Sequence, residues 1–257
     1  MDTTTPPLAC VPGAPCDVTV LTWNMHKGRD AKRRPVDLGR LAEALASVQA
    51  DVLLLQEVFH AWTGVSQSGE LARRLDMHAA YVPNARYARG HHGNATLASA
   101  ALPLVRHRDI STNAYEHRGL LHVHFELPGR PHIHVMNTHL GLNAVQRRRQ
   151  VHGIARFVAE HVPPGEPWVL GGDFNDWTMR LDAHVVRRLR AQNLMAGHGW
   201  RARCTYPVRR PLLPLDRLYA HGLHVEEASV LRGEPWTSLS DHLPIRARLV
   251  WPTLGVG

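Results

Sequence analysis

The chain has 257 residues, of which 44% are hydrophobic and 20% are charged, and this balance predicts a globular protein with a substantial core. Apolar runs such as residues 52–55 are too short to cross a bilayer, which argues against membrane-spanning helices. The first 16 residues lack the basic and apolar regions of a signal peptide. Because the three cysteines show no metal-binding spacing, we expect reduced thiols and a cytoplasmic location.

The chain is strongly basic. Thirty Lys and Arg residues against 22 Asp and Glu residues give a formal net charge of +8, before any of the 19 histidines is protonated. A basic surface attracts polyanions, so nucleic acid is the expected partner and an anionic lipid surface is the alternative. A coding bias that enriches arginine would have the same effect, so charge alone does not name the partner. No segment indicates a stable protein partner, and we expect a monomer.

The predicted elements begin after a polar, proline-rich leader at residues 1–16, and residues 17–257 are predicted to form a single domain. In chain order, the first half is predicted to contain a strand at 17–24, a helix at 38–48 capped by Asp37, a strand at 52–56, a helix at 70–77 and a polar loop at 83–94. The second half is predicted to contain strands at 120–126 and 132–137 joined by a turn at 127–130, a helix at 143–161, a strand at 168–172, a helix at 181–193 and strands at 215–220 and 245–250. Some strands follow helices and others form hairpins, which predicts an α/β protein with mixed sheets.

Polar side chains stand at or near the ends of several predicted strands. They are Asn24, Glu57, His139, Asp173, Asn175, Asp216, Asp241 and His242. Any one of them could be explained by turn chemistry, because Asn and Asp hydrogen-bond to local backbone at such positions. Their number in one chain indicates a shared site.

Hydrolysis of a phosphate ester would use all of these residue types. Carboxylates such as Glu57 and Asp241 suit Mg²⁺, which takes one or two carboxylates together with water and substrate phosphate. A carboxylate with a nearby amide, as at Asp173 and Asn175, can hold and deprotonate a water molecule. The spacing of these two residues in "LGGDFND" places both on one face if Phe174 points into the core, and the two preceding glycines are expected to permit a tight turn. Negative charge on the phosphate could be stabilised by His139, His242, Asn24 and Arg118.

Six motifs resemble, in their order, those of the endonuclease/exonuclease/phosphatase superfamily, and they extend over about residues 17–250. They are "TWNMHKG", "LLLQEV", "VMNTHLGL", "LGGDFND", "LDRLYA" and "LSDHLPI". "GHHGNA", and "HLGL" followed by Arg147 and Gln150, are most similar to a bacterial YbhP-like branch. The resemblance implies a four-layer αββα sandwich, in which two packed mixed β-sheets are flanked by helices. It also implies a divalent metal ion, Mg²⁺ or Mn²⁺.

The resemblance further implies a role for each matching residue. Glu57 would bind the metal, with Asp241 close by and Asn24 in support. Asp173 would orient or deprotonate the attacking water, helped by Asn175; His242, held by Asp216, would contact the phosphate, and His139 would be a second histidine on the phosphate side. The residues expected to contact substrate are Arg118, His26, His92, Asn94 and Arg147.

The chain departs from the abasic-site nucleases of this superfamily at His26, where those enzymes carry a carboxylate or an amide. Tyr81 and Tyr87 are the two candidates for the tyrosine that those nucleases place against phosphate. His91 and His92 fit either a substrate contact or a solvated loop, and Asp216 could pair with Arg217 rather than with His242.

The expected function is that of a Mg²⁺-dependent phosphodiesterase acting on nucleic acid through an activated water. Hydrolysis of a phospholipid, a sphingolipid or a small phosphoester is the alternative. A lipid-directed enzyme would need an exposed apolar loop, for which residues 206–215 and Trp236 are the candidates. A binding module without catalysis is the third hypothesis, and the intact set of carboxylates argues against it.

Overall fold

The computed structural model describes residues 16–64, 66–126 and 130–252. Most of the predicted leader and three of the four residues of the predicted turn at 127–130 lie outside the described residues. Within these ranges, twelve strands form two six-stranded sheets. The first sheet contains β1 (Asp17–Asn24), β2 (Val52–Ala61), β3 (His78–Tyr87), β4 (Gly90–Ala98), β11 (His224–Val230) and β12 (Ile245–Val250), in the spatial order β11-β12-β1-β2-β4-β3. The second contains β5 (Val105–Asp109), β6 (Gly119–Phe125), β7 (Ile133–His139), β8 (Trp168–Asp173), β9 (Gln192–Asn193) and β10 (Asp216–His221), in the order β5-β6-β7-β8-β10-β9.

Both sheets are mixed, as the sequence predicts. β1 pairs with β2 in parallel and β7 pairs with β8 in parallel, whereas the other neighbouring strands are antiparallel. The carboxyl ends of parallel strands lie at one edge of a sheet, so each parallel pair delivers two strand-end residues to the same place. This arrangement positions the polar strand ends.

The helices cover the outer faces of the sheets. They are α1 (Leu38–Ala46), α2 (Gln67–Leu75), α3 (Ala144–His161) and α4 (Asp182–Leu189), whereas the single turn α5 (Trp200–Arg203) buries none of its residues. Buried residues of α1 and α2 belong to the large core that also fills the space between the sheets, and those of α3 and α4 form a second core on the outside of the second sheet. The four-layer αββα sandwich is therefore confirmed.

The predicted loop at residues 83–94 is wrong, because these residues lie in the hairpin of β3 and β4. Pro83 to Tyr87 line a large cleft, which explains a polar composition that resembles a loop. Gly93 is required inside β4, since a Cβ there would lie 1.8 Å from the carbonyl oxygen of Val82. The hairpin is polar because several of its residues line the cleft.

Three other predictions need correction. The helix predicted at 181–193 ends at Leu189, because Arg190 adopts a left-handed conformation, and the chain then enters β9. The edge strands β5 and β11 were not predicted, since they lack a regular run of apolar residues. Reduced thiols were expected throughout, but Cys16 takes part in a disulfide bond, whereas Cys204 is free and buried.

Candidate active site

Three strands of the second sheet place acidic and basic side chains in one row. In the register of β7, β8 and β10, His139 lies opposite Asp173, and Asp173 lies opposite Asp216. All three residues are buried. A row of this kind follows from the last residues of two parallel strands meeting the first residue of an antiparallel neighbour.

His242 joins this row from the other sheet. Its Nδ1 lies 2.8 Å from Oδ2 of Asp216, so the hydrogen bond expected between the two residues is present. Arg217, the other partner considered for Asp216, instead donates to Asp176. The burial of His242 would lower its pKa, but the carboxylates of Asp216, Asp173 and Asp241 together outweigh that effect and raise the pKa to about 10. The imidazole is therefore positively charged at neutral pH.

The loop that carries His242 is fixed to the end of β1. The indole Nε1 of Trp23 donates to the carbonyl oxygen of His242 at 2.9 Å, and Oγ of Ser240 donates to the carbonyl oxygen of Asn24 at 2.7 Å. These bonds hold the imidazole in place across the gap between the two sheets.

Asp173 occupies the centre of the site. Its carboxylate accepts hydrogen bonds from Nδ2 of Asn24 at 3.0 Å and from the backbone N–H of Asn175 at 2.9 Å. Nε2 of His139 lies 3.6 Å and Nε2 of His242 lies 3.9 Å from its Oδ2. Burial raises the pKa of Asp173 to about 6, against the opposing charge of His242.

His139 differs from His242 in its charge. Burial, with the positive charge of Arg118 nearby, lowers the pKa of His139 well below its ordinary value. The site therefore presents one charged and one neutral imidazole on either side of the Asp173 carboxylate.

The motif "LGGDFND" directs its three polar side chains to different partners. Phe174 is fully buried, as expected. Asn175, which has a φ of +50°, donates from Nδ2 to the carbonyl oxygen of Leu140 at 2.9 Å. Asp176 turns away and pairs with the buried Arg217 at 3.0 Å. Only Asp173 and Asn175 line the cleft.

The two glycines do not form the tight turn that was expected, because both lie within β8. A Cβ on Gly171 would lie 2.5 Å from Cδ1 of Leu54 on the facing sheet. A Cβ on Gly172, whose φ is +150°, would lie 1.8 Å from the carbonyl oxygen of Thr138. The glycines allow the sheets and strands to approach closely behind Asp173.

Glu57 lies on the opposite wall, in the first sheet. It has a φ of +53° and lies at an irregularity in the pairing of β2 with β4. The strand does not end before Glu57, as predicted, but continues past this irregularity to Ala61. A bulge of this kind re-aims a side chain, and here Glu57 lines the cleft. Its carboxylate contacts the ammonium of Lys27, and Nδ1 of His92 lies 3.9 Å from its Oε2.

The charge of Glu57 is maintained despite its burial. Burial alone would raise the pKa of this carboxyl, but His139, which is charged only at low pH, and the permanently charged Lys27 lower it to about 2. Asp241, the other candidate metal ligand, also lines the cleft, and its Oδ1 lies 3.6 Å from Nδ1 of His26. Two carboxylates on one cleft, one of them already holding a cationic side chain, match the oxygen donors that a hard divalent ion takes. The residues present therefore fit such an ion.

The cleft that contains these residues has a volume of about 1190 Å³. Arg118 contributes to its wall and donates to Oε1 of Glu116 at 2.6 Å. Exposed aromatic side chains stand at its rim, namely Tyr87, Tyr115 and Trp177. Tyr87 also contacts His92, with Oη 3.2 Å from Nε2, whereas Tyr81 is bonded to His91 outside the cleft lining.

Four of the predicted site residues do not line the cleft. Asp216 lies behind His242, and His26 lies beside Asp241. Asn94 is buried and donates to the carbonyl oxygen of Gly119, so its side chain is directed to the interior. The fourth is Arg147.

Arg147 was expected to contact substrate, but it is buried. Its guanidinium donates to the carbonyl oxygen of Leu142 at 2.6 Å and lies 3.8 Å from the carboxylate of Asp176. Its carboxylate and carbonyl partners draw the side chain inward, so a direct substrate contact is not supported. Arg147 instead holds the loop after β7.

Sequence reasoning missed Lys27 and Tyr206. Lys27 follows His26 in "NMHKG", and both residues have positive φ, so the turn after β1 brings the lysine to Glu57. The ring of Tyr206 packs 4.8 Å from that of His242. Lys27 could have been singled out by its place in the first motif, whereas Tyr206 was noted only as the start of the segment 206–215 considered for lipid binding.

Comparison with known proteins agrees with this geometry. The sequence model of the Endonuclease/Exonuclease/phosphatase family matches residues 21–242. The chain belongs to this family. The family consists of hydrolases that act on phosphate esters and generally use a divalent metal.

Individual relatives extend the comparison. The chain is 37% identical over 243 residues to the protein YbhP of Escherichia coli, covering 90% of this chain and 95% of that protein. An endonuclease/exonuclease/phosphatase from Beutenbergia cavernae has the same fold with a TM-score of 0.79 at 20% identity, covering 94% of this chain and 73% of the other. The catalytic domain of human Nocturnin, solved with a bound sulfate anion, gives a TM-score of 0.74 at 19% identity, covering 92% and 94%. The assignment to the YbhP-like branch is confirmed.

Of the two features considered for lipid binding, Trp236 is buried and the segment 206–215 has one exposed leucine. Trp236 is buried and packs edge-on against Trp23 at 5.3 Å, so it is not a membrane anchor. In the segment 206–215, Leu212 is exposed. None of the helices in the described ranges combines the length and hydrophobicity needed to cross a bilayer.

Proposed function

We propose that the protein is a divalent-metal-dependent phosphodiesterase that hydrolyses nucleic acid by in-line attack of an activated water. The observation that carries this proposal is the buried carboxylate of Asp173, which lies between His139 and His242 and is oriented by Asn24. This arrangement sets a proton acceptor beside two imidazoles that can contact a phosphate.

In the proposed reaction, the oxygen of a water molecule attacks phosphorus while one of its protons passes to the carboxylate of Asp173. The bond between phosphorus and the ester oxygen breaks, and that oxygen leaves and is protonated from solvent. Two hydrogen bonds to Asp173, from Nδ2 of Asn24 and from the N–H of Asn175, fix the direction of its lone pairs. The charged imidazole of His242, held by Asp216, stabilises the negative charge on the phosphoryl oxygens.

Glu57 and Asp241 would hold the metal ion, which we propose to be Mg²⁺ or Mn²⁺. When bound, such an ion supplies Lewis-acid polarisation of the phosphate and neutralises part of its charge. Lys27 adds a fixed positive charge to the same wall through its contact with Glu57.

The rim of the cleft supports nucleic acid as the substrate. Tyr87 and Trp177 are about half exposed there, and Tyr115 is almost fully exposed. Exposed aromatic rings next to basic side chains such as Arg86 offer stacking surfaces for bases and attraction for phosphates. The net charge of +8 acts in the same direction.

The proposal is tested by comparing kcat/KM across bis-p-nitrophenyl phosphate, plasmid DNA, RNA, sphingomyelin vesicles and inositol phosphates, each with Mg²⁺, with Mn²⁺ and with EDTA. We expect metal-dependent hydrolysis with DNA or RNA as the best substrate. Preferred hydrolysis of sphingomyelin or of inositol phosphates would reject nucleic acid as the substrate while keeping the phosphoesterase centre. Absence of hydrolysis with every substrate and either metal would reject the proposal as a whole.

A further inference from the structure

A second cluster of titratable side chains lies at the opposite end of the second sheet. His122 and His124 belong to β6, and His132 and His134 lie at the start of β7. His134 precedes His139 of the candidate active site by five positions on the same strand, which corresponds to about 17 Å. The cluster is therefore separate from the cleft.

Two of these histidines converge on one carboxylate. Nε2 of His132 and Nε2 of His134 lie 2.8 Å and 2.6 Å from the same atom, Oε2 of Glu166. Glu166 comes from the loop between α3 and β8, so the contact joins two distant parts of the chain. The side chain of His134 is fully buried, whereas those of His132 and Glu166 are 31% and 29% exposed. The group is thus anchored in the protein on one side and open to solvent on the other.

The surrounding histidines supply more nitrogen atoms than the hydrogen bonds use. Nε2 of His122 lies 2.9 Å from Nδ1 of His134 and orients that ring from behind. The ring of His124 meets that of His134 edge-on at 4.2 Å and stacks on that of His132 at 5.4 Å. Nδ1 of His122 and Nε2 of His124 are buried, and neither has a hydrogen-bond partner among the described residues. Buried polar atoms without partners are costly, so this end of the sheet carries more imidazole nitrogens than its own hydrogen bonds satisfy.

We propose that His132, His134 and Glu166 form a second metal site, which binds a divalent transition ion such as Zn²⁺. Their ligand atoms lie within 4.8 Å of one another. Two imidazole nitrogens and one carboxylate oxygen are a donor set that Zn²⁺ takes, with a fourth position left for water. The contact of His134 with His122 provides the outer-shell partner that fixes a ligating ring. Because Mg²⁺ prefers oxygen donors, the two imidazole nitrogens discriminate against Mg²⁺.

The bound ion would tie the loop between α3 and β8 to the starting edge of β7. Binding to the folded chain alone stabilises that chain, so Zn²⁺ is expected to raise the Tm. A site so far from the cleft has no contact with the reacting phosphate, so its loss is expected to leave hydrolysis with Mg²⁺ unchanged.

The test is a Zn²⁺ titration by calorimetry on the full chain saturated with Mg²⁺, together with the visible absorption of the Co²⁺-loaded protein. We expect binding of about one ion per chain and the intense bands of a four-coordinate Co²⁺ site. Glu166→Gln and His132→Ala should each weaken Zn²⁺ binding at least about tenfold and remove the Co²⁺ bands. Glu166→Gln preserves the size of the side chain, so its folding can be checked independently by circular dichroism.

Two matched variants serve as controls. His152→Ala removes an exposed histidine of α3, and Glu160→Gln removes a half-exposed glutamate of the same helix, and both should bind Zn²⁺ as the wild type does. The proposal is overturned if the wild type binds no Zn²⁺ in the presence of Mg²⁺, or if Glu166→Gln binds it with unchanged affinity.

Discussion

The carboxylate of Asp216 and the imidazole of His242 form a buried hydrogen bond of 2.8 Å between the two sheets of the sandwich. Asp216 begins β10 in the second sheet, and His242 precedes β12 in the first. The two strands therefore belong to different sheets. The bond forms because the sheets face each other at the edge where β1, β7 and β8 end.

The first prediction concerns this pair. Asp216→Asn should lower kcat by about 100-fold or more, because the negative carboxylate that favours the protonated form of the His242 imidazole is replaced by a neutral amide. His242→Ala should lower kcat to a similar extent. The double variant should be little worse than either single variant, since residues that act as a unit are not additive. Steady-state kinetics of all three variants would test this, and fully additive losses would show that the side chains act independently.

The second prediction concerns metal binding at Glu57. Glu57→Gln should weaken Mg²⁺ binding and hydrolysis together, because the neutral amide attracts a divalent cation less strongly. Calorimetric titration with Mg²⁺ gives the affinity directly. Glu70→Gln is the control, since Glu70 pairs with Arg73 and Arg74 on the surface of α2. An unchanged Mg²⁺ affinity in Glu57→Gln would remove Glu57 from the metal site.

The third prediction concerns salt dependence. Arg148 and Arg149 on α3, and Arg209 and Arg210 in the segment before β10, are exposed and free to contact phosphates. The logarithm of the affinity for DNA should fall linearly with the logarithm of salt concentration, and each arginine that contacts a phosphate should contribute about one unit to the slope. Fluorescence anisotropy of labelled oligonucleotides with paired alanine variants measures this. A slope unchanged in all variants would place the nucleic acid elsewhere.

The fourth prediction concerns the stability of the folded chain at acidic pH. Half-buried His60 stacks on Tyr81 at 3.7 Å, and its Nε2 lies 2.9 Å from Oγ of Ser68. Burial, together with the nearby His91, lowers the pKa of His60 from 6.5 to about 4. The unfolded chain therefore takes up a proton between these values that the folded chain does not, and stability should decrease as the pH falls from 6.5 to 4.

Urea unfolding of the wild type and of His60→Gln across this pH range isolates that contribution. The variant should lose less stability on acidification than the wild type, and the exposed-site variant His152→Gln should behave as the wild type does. If the His60 resonance in NMR titrates near 6.5, the shift of its pKa is absent and the prediction is wrong.

Much of the fold followed from hydrophobic patterning. The buried runs that form β1, β2 and β8 and the amphipathic pattern of α3 located these elements to within a few residues, except that β2 extends beyond the predicted end. β3 and β4 were missed because cleft-lining strands carry polar residues on the face that the cleft exposes. Edge strands such as β5 bury few side chains, so their sequences lack the alternation that a half-buried strand shows.

The positions of the acidic residues of the candidate site could be predicted from the sequence, whereas those of the basic residues Arg147 and Lys27 could not. Asp173 and Glu57 stand next to buried runs, and that position marks them in the sequence. Burial of Arg147 depends on its distant partner Asp176, and the contact of Lys27 with Glu57 depends on a turn whose residues have positive φ. Contacts of this kind are set by tertiary geometry, which local sequence patterns do not record.

The most direct test of the central claim is the rate of phosphodiester hydrolysis by Asp173→Asn, a change that keeps the size of the side chain and removes the proton acceptor. Single-turnover cleavage of a labelled oligonucleotide would be measured for the wild type and the variant, with Mg²⁺ and with EDTA. We predict cleavage by the wild type with Mg²⁺ only, and a loss of at least about 1,000-fold in Asp173→Asn. Cleavage by Asp173→Asn at the wild-type rate, with its fold intact by circular dichroism, would contradict the account.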